Sequence, residues 1–346
     1  MRRISTGGRD RNGTGRKDPK IVGHATWDTS QKVFTHNGDN ERTASEEAKR
    51  AYGDPASYIK YADGDVEVNW YDFEHRAYGF ADKSLWNCLK QSIKRYANRG
   101  SRFLEVADIG CGPGTWLIRL ADTFGKNGRF VRGVGIDISP EMVEFARVQW
   151  NKYKRYHPQT TAELTFEVGD ASLPLRFETR KFDLTLSLYT VLNHINAEKV
   201  PFAIEEMLRV TRGCNVTTVR SKGGIRTAYI DSMDEVSNWH HEGDWLIFKH
   251  ATKGDFRIPS HLFSFNELNG LFAKSGEIVE QFGLDTFMSR LTGNRASRET
   301  LPCDHLLLKE IARIERQLAH RPQFADVSNH LAIVTVPHLD GGSENH

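Results

Sequence analysis

The run Asp108-Ile109-Gly110-Cys111-Gly112-Pro113-Gly114-Thr115 places three glycines at alternate positions between an apolar stretch and a helical pattern. Glycine lets the backbone turn tightly and approach a ligand with no Cβ in the way. A helix opening after such a turn presents the positive end of its dipole there. Two further acids follow at matching places. Asp137 closes the next apolar run, and Asp170 closes the one after it in Val168-Gly169-Asp170-Ala171. A carboxylate at the first place suits the hydroxyls of a ribose. One at the second suits the exocyclic amine of a base. Each acid alone reads as a turn or N-cap residue. Three polar groups in register after a glycine turn point instead to a nucleoside ligand. No Lys or Arg lies within 108–118, whereas a pyrophosphate would gain from cationic partners.

These residues need strands and helices that hold them at one edge. Apolar runs predict strands at 103–109, 133–138, 164–168, 182–188 and 215–219. Helices are predicted at 115–124, 140–153 and 197–209, the second with Ser139 as N-cap and Pro140 in its first position. Strand–helix alternation at this spacing implies a parallel, doubly wound sheet with helices on both faces. Later come a helix over 266–275, a strand over 278–282, a helix over 303–320 and a strand over 331–336. Before the alternation, a helix is expected from Thr43 to a stop at Gly53-Asp54-Pro55, and an amphipathic one over 82–97. The aromatic segment 58–80 packs over something, either a lid on the site or a cover on the sheet edge. Stretches 222–263 and 284–328 exceed what the sheet needs, and insertions of that size shape substrate pockets.

The dinucleotide fingerprint is G-x-G-x-x-G, but the glycines here run G-x-G-x-G. VADIGCGPGTW, GVGIDISPEM, VGDASLPL and FDLTLSLYTVLNHI together resemble the successive motifs of the class I S-adenosylmethionine-dependent methyltransferase family, over about residues 103–220. The resemblance implies a Rossmann-like, seven-stranded α/β sheet, mostly parallel with an antiparallel last strand. It implies S-adenosylmethionine as cofactor. Gly110, Cys111, Gly112 and Gly114 would surround its methionine part, and Asp108 would hold its amino group. Asp137 would bind the ribose, with Ile138 beside the adenine. Asp170 and Ala171 would meet the adenine edge. Leu188 and Tyr189 would lie near the sulfonium.

Methyl transfer is an in-line displacement at carbon, so the protein mainly supplies proximity and alignment. An amine acceptor needs a free lone pair, whereas a hydroxyl gains from a general base such as histidine. His194 follows the fourth strand, where the acceptor should approach, and is the candidate base. Asn193 is a candidate for orienting a donor group, and Tyr189 completes the catalytic set. The structural alternative for His194 and Asn193 is capping or packing of the following turn. The 222–263 insertion, with Trp239, His240, His241, Trp245, His250 and His261, reads as a Trp/His/Phe-lined acceptor pocket. Adjacent His240 and His241 point different ways and make no metal pair, so no metal is expected. Tyr229 and Arg220 are in reach of the same pocket.

Composition bounds the rest. The 346 residues carry 47 Lys/Arg against 45 Asp/Glu, a net charge of +2. Residues 1–24 hold seven Lys/Arg and two Asp, a net of +5, leaving 2 − 5 = −3 for the remainder. Such a body is a poor nucleic-acid binder, and the glycine-rich arm reads as a disordered tail. Four cysteines with no CxxC pair exclude a disulfide scaffold. No stretch reaches the ~20 apolar residues of a membrane span, and the basic start lacks an apolar signal region. A cytoplasmic setting is the expectation. The domain reading is a basic, largely disordered arm at 1–50, a helical and aromatic cap at 51–100, a methyltransferase domain at 101–338 and a disordered tail at 339–346.

The function expected is methyl transfer to an oxygen or nitrogen of a small molecule, releasing S-adenosylhomocysteine. A homodimer is compatible with this. The competing readings are a tRNA or protein methyltransferase using the basic arm, a non-catalytic cofactor-binding module, and an NAD-dependent oxidoreductase. Absence of an Asn/Asp-Pro-Pro-Tyr run after the fourth strand disfavours nucleic-acid amino-methylation.

Overall fold

The structure is a computed structural model that describes residues 43–53, 79–97, 101–125, 128–223, 236–250, 254–288 and 306–338. All fall within one compact unit, Arg42–His346. The basic start, most of the aromatic segment 58–80, Tyr229 and Cys303 lie outside the described residues. So do the side chains of Trp239, His240, His241 and His250.

Helices α1 (Ala44–Ala51) and α2 (Gly79–Tyr96) precede the sheet. Strand β1 (Phe103–Ile109) leads through the glycine turn into α3 (Thr115–Gly125). Strand β2 (Phe130–Asp137) feeds α4 (Pro140–Tyr156), and β3 (Glu163–Val168) and β4 (Phe182–Ser187) follow. A 3-10 turn at Leu192–His194 and another at Ala197–Lys199 lead to α5 (Val200–Arg209) and β5 (Thr211–Arg220). The single helix expected over 197–209 thus begins as a 3-10 turn. Pro201 sits in the first turn of α5, where its missing N–H costs nothing but a longer α-helix could not extend through it.

The chain then makes β6 (Val236–Glu242), β7 (Trp245–His250) and β8 (Gly254–Pro259). It continues with α6 (Phe265–Phe272), β9 (Gly276–Leu284), α7 (Leu306–Leu318), α8 (Pro322–Ala325) and β10 (His330–Pro337). The main sheet has seven strands in the order β3-β2-β1-β4-β5-β10-β9. Strands β1 to β5 pair in parallel, and β10 runs antiparallel to both β5 and β9. The expected doubly wound sheet with its antiparallel last strand is therefore present. Strands β6–β8 form a separate antiparallel sheet, so the 222–263 insertion has an architecture its sequence did not announce.

Alternation along each strand splits the core between two faces. Leu104, Val106, Ala332 and Val334 pack with Leu85, Leu89, Ile93, Leu117 and Val143 from α2, α3 and α4. Ala107, Ile109, Leu331 and Ile333 pack with Ile204, Met207, Phe263 and Phe272 on the other face. Burial on both faces explains why the strands read as continuous apolar runs.

Helix starts follow local chemistry. Ser139 Oγ accepts from the Met142 N–H at 3.1 Å, with Pro140 next to it. Thr43 and Glu46 form a capping box before α1, and Ser264 and Glu267 form another before α6.

Candidate cofactor and acceptor site

The carboxyl ends of β1, β2, β3 and β4 meet at one edge, and the candidate residues stand there. The glycine turn is pinned to β2. The Gly110 and Cys111 N–H groups both donate to the Ile136 carbonyl, at 2.7 and 2.9 Å. The three glycines have φ of +77°, +51° and +77°, which disfavours a side chain at each. Their surroundings differ. A Cβ on Gly110 would meet Val191 Cγ2 at 2.3 Å, and one on Gly114 would meet Phe166 Cε1 at 2.7 Å. A Cβ on Gly112 would meet nothing within 4 Å. Two glycines therefore serve the protein's own packing, and Gly112 borders open space. The Cys111 side chain is buried. A Cβ added to Gly135 would lie 2.7 Å from its Sγ, so the thiol is packed against β2. Burial, with Asp137 and Asp108 nearby, pushes it well up.

Asp137 Oδ2 accepts from the Gly112 N–H at 2.8 Å and Oδ1 from the Ser139 N–H at 2.9 Å. Burial raises its pKa while those bonds and the Ile138 N–H oppose the rise. A carboxylate offers about four lone-pair sites, so acceptor capacity remains. Asp108 is 1% exposed, and neither carboxylate oxygen has a hydrogen-bond partner. Burial first, and the Asp137 charge second, push it up to about 8. A buried carboxylate left without a partner is costly, and a cation bearing N–H donors relieves that cost.

Asp170 lies beyond β3. Its Oδ1 accepts from the Ser172 N–H at 2.8 Å, and its Oδ2 accepts from the Ser45 hydroxyl of α1 at 2.7 Å. Ile138 and Ala171 are half-buried beside these acids, and Leu188 is buried. Sequence gave no sign that α1 reaches this site, because the bond joins residues 125 apart.

The residues expected on the acceptor side lie beyond β4. Tyr189 and Thr190 are consecutive non-glycine residues at φ of +54° and +63°. Strained backbone of this kind persists only where its surroundings hold it. The Tyr189 N–H donates to Thr218 Oγ1 at 2.7 Å, and its hydroxyl donates to Asp82 Oδ1 on α2. Its ring stands edge-on to His330 at 5.3 Å and lies 6.4 Å from Trp116. Burial and the Asp82 carboxylate raise the phenol well above its usual value, so it stays protonated. Neither Asp82 nor His330 was singled out from sequence, since each is far from Tyr189 along the chain.

Asn193 is fully buried and its amide is committed to backbone. Its Nδ2 donates to the Arg220 and His261 carbonyls at 3.2 and 2.5 Å, and its Oδ1 accepts from the Arg220 N–H at 2.9 Å. His194 is half-buried, with Nδ1 2.6 Å from the Pro259 carbonyl. A carbonyl only accepts, so Nδ1 carries hydrogen and a neutral ring holds its lone pair on Nε2. The His194 ring also faces Tyr52 at 5.4 Å. Of the insertion residues, His261 is tied to Asp244 and Glu267 at 2.9 and 2.6 Å, and Trp245 lies under Arg257.

Residues 106–213 match the profile of the methyltransferase domain family. The demethylmenaquinone methyltransferase of Leptospira interrogans is 30% identical over 139 residues, which is 40% of this chain and 51% of that protein. Aklanonic acid methyltransferase DauC of Streptomyces sp. (strain C5) is 37% identical over 88 residues, covering 25% of this chain and 36% of its own. The chain thus spans about half, or less, of the length of these curated relatives. Among solved structures, the N-methyltransferase NodS of Bradyrhizobium japonicum with S-adenosyl-L-homocysteine aligns at a TM-score of 0.40 and 13% identity, covering 75% of this chain and 88% of that one. Residues 106–213 thus match a methyltransferase domain, and the seven-stranded sheet around them is consistent with the class I S-adenosylmethionine-dependent methyltransferase family.

Proposed function

We propose that the protein transfers a methyl group from S-adenosylmethionine to an oxygen or nitrogen of a small molecule. The observation that carries this reading is the Asp108 carboxylate, buried without a partner beneath the glycine turn. It stands at the same carboxyl edge of the sheet as Asp137, which closes β2, and Asp170, two residues beyond β3. The bound cofactor supplies an ammonium, a ribose, an adenine and an electrophilic methyl on sulfur. Asp108 takes the ammonium, Asp137 the ribose hydroxyls and Asp170 the adenine amine. Gly112 leaves room for the ligand to pass, while Gly110, Cys111 and Gly114 shape the turn. Ile138, Ala171 and Leu188 give the apolar contacts.

On the acceptor side, His194 presents the lone pair on Nε2 and accepts the proton that a hydroxyl acceptor loses as it attacks. An amine acceptor needs it only to take up the proton afterwards. Tyr189 is held rigidly and lines the approach, and Asn193 positions His194 by fixing the turn. The names of the two curated relatives, each describing a small acceptor, support this class of substrate.

The test is calorimetric titration of the full chain with S-adenosylhomocysteine, followed by transfer of labelled methyl to panels of small hydroxy and amino compounds, bulk tRNA and protein. Micromolar binding and label on a small compound are expected, with loss of transfer in His194→Ala at unchanged cofactor affinity. Label on tRNA or protein alone would overturn the acceptor class. Absence of binding would overturn the site.

A further inference from the structure

Helix α1 stands across the cofactor edge of the sheet. At one end Ser45 donates its hydroxyl to Asp170 Oδ2 at 2.7 Å, beyond β3. At the other, Tyr52 caps the helix with its ring 5.4 Å from that of His194, beyond β4. Just past Tyr52, a Cβ on Gly53 would lie 3.9 Å from Glu141 Cδ in the first turn of α4, beyond β2. The strand order β3-β2-β1-β4 means that a helix touching beyond β3 and beyond β4 crosses the ends of β2 and β1. Dimensions agree. Three strand intervals span about 14 Å, and seven residues of helix rise about 10 Å, with side chains covering the rest. Ala48 is buried, and Lys49 and Arg50 are exposed.

We infer that α1 is the outer wall of the cofactor cleft and that Ser45 is a positioning residue acting through Asp170. The inference rests on the reading of Asp170 as the acid that meets adenine. The carboxylate is held from two sides, by the Ser172 N–H on Oδ1 and the Ser45 hydroxyl on Oδ2. Fixed in this way, its other lone pairs keep one direction, toward the amine of a bound adenine. The same bond keeps α1 over the cleft, so it slows cofactor release. Tyr52, two turns along the same helix, then ties the cofactor wall to the side chain that faces the acceptor.

The test uses stopped-flow binding of S-adenosylhomocysteine to the full chain and to Ser45→Ala, Ser45→Thr and Asp170→Ala. One hydrogen bond to a charged group corresponds to about a tenfold change. S-adenosylhomocysteine should leave Ser45→Ala about tenfold faster, while Ser45→Thr, which keeps the hydroxyl, should behave like the parent. Alanine favours helix at this position, so the variant keeps α1. Trypsin cleavage after Lys49 and Arg50 should slow when S-adenosylhomocysteine is added to the parent, and slow less in Ser45→Ala. Release unchanged in Ser45→Ala, or equally fast in Ser45→Thr, would overturn the inference if Asp170→Ala still weakens binding. Unchanged affinity in Asp170→Ala would instead overturn the adenine assignment beneath it.

Discussion

At the scale of single residues, the three glycines of one turn do different work. Gly110 and Gly114 are required by Val191 and Phe166, which occupy the space a side chain would need, whereas Gly112 faces open space. In Gly112→Ala the methyl meets no protein atom, and the left-handed backbone costs about 1–2 kcal/mol. That variant should fold and melt a few degrees lower, yet lose most of its affinity for S-adenosylhomocysteine. Calorimetry beside a thermal melt checks both halves, and full affinity would move the ligand away from this glycine. The sequence made the turn and its acids legible because each is local: a strand end followed by a short-range turn. It could not distinguish the glycines by role, since Val191 arrives from the turn after β4 and Phe166 from β3. It also could not show that Asp108 lacks partners, a property of everything that surrounds it.

Elements show the same division. The strands of the main sheet were legible because both faces are buried and the runs are continuous. Helices were legible where a cap marked them, as at Ser139 and Thr43. The small sheet of β6, β7 and β8 was not, because its residues mix aromatic, basic and acidic types without clean alternation. One link between that insertion and the carboxyl edge of the sheet is Asn193, whose side chain joins the 3-10 turn after β4 to β5 and to the segment after β8. Removing it takes the side-chain partner from the Arg220 N–H and the His261 carbonyl, while the Arg220 carbonyl keeps the Phe263 N–H. At about 1–3 kcal/mol for such unsatisfied groups, Asn193→Ala should lower stability by about 2–4 kcal/mol in urea denaturation. Activity should fall with it, because His194 is the next residue. Wild-type stability in this variant would show that the turn is held by something else.

The molecule as a whole places three buried ionisable groups under opposing pH demands. Burial pushes Asp108 up to about 8 and Glu315 up to about 7, while it pushes His330 down to about 3. The first two hold protons in the fold that the unfolded chain, with carboxylates near 4, releases. Their contribution is complete below about pH 4 and is lost as pH rises toward 7 and 8. His330 is neutral in the fold while the unfolded imidazole binds a proton below about 6.5. Its contribution is present above that value and is lost as pH falls toward 3. By linkage, the melting temperature of the cofactor-free protein should fall on both flanks. Saturating S-adenosylhomocysteine, whose ammonium favours ionised Asp108, should flatten the alkaline flank alone. A scan of melting temperature from pH 4 to 9, with and without ligand, measures this. Equal lifting at every pH would separate Asp108 from the ligand.

Strand β10 lies between β5 and β9 and is antiparallel to both. During synthesis β5 is finished more than a hundred residues before its neighbour exists, and β9 is also made first. Until residues 330–337 leave the ribosome, each of the two carries an open row of backbone donors and acceptors. Such edges template wrong pairings with other chains. A substitution that slows the docking of β10 should therefore show itself first as aggregation of newly made protein and dependence on chaperones, even where the finished enzyme is as stable as the parent.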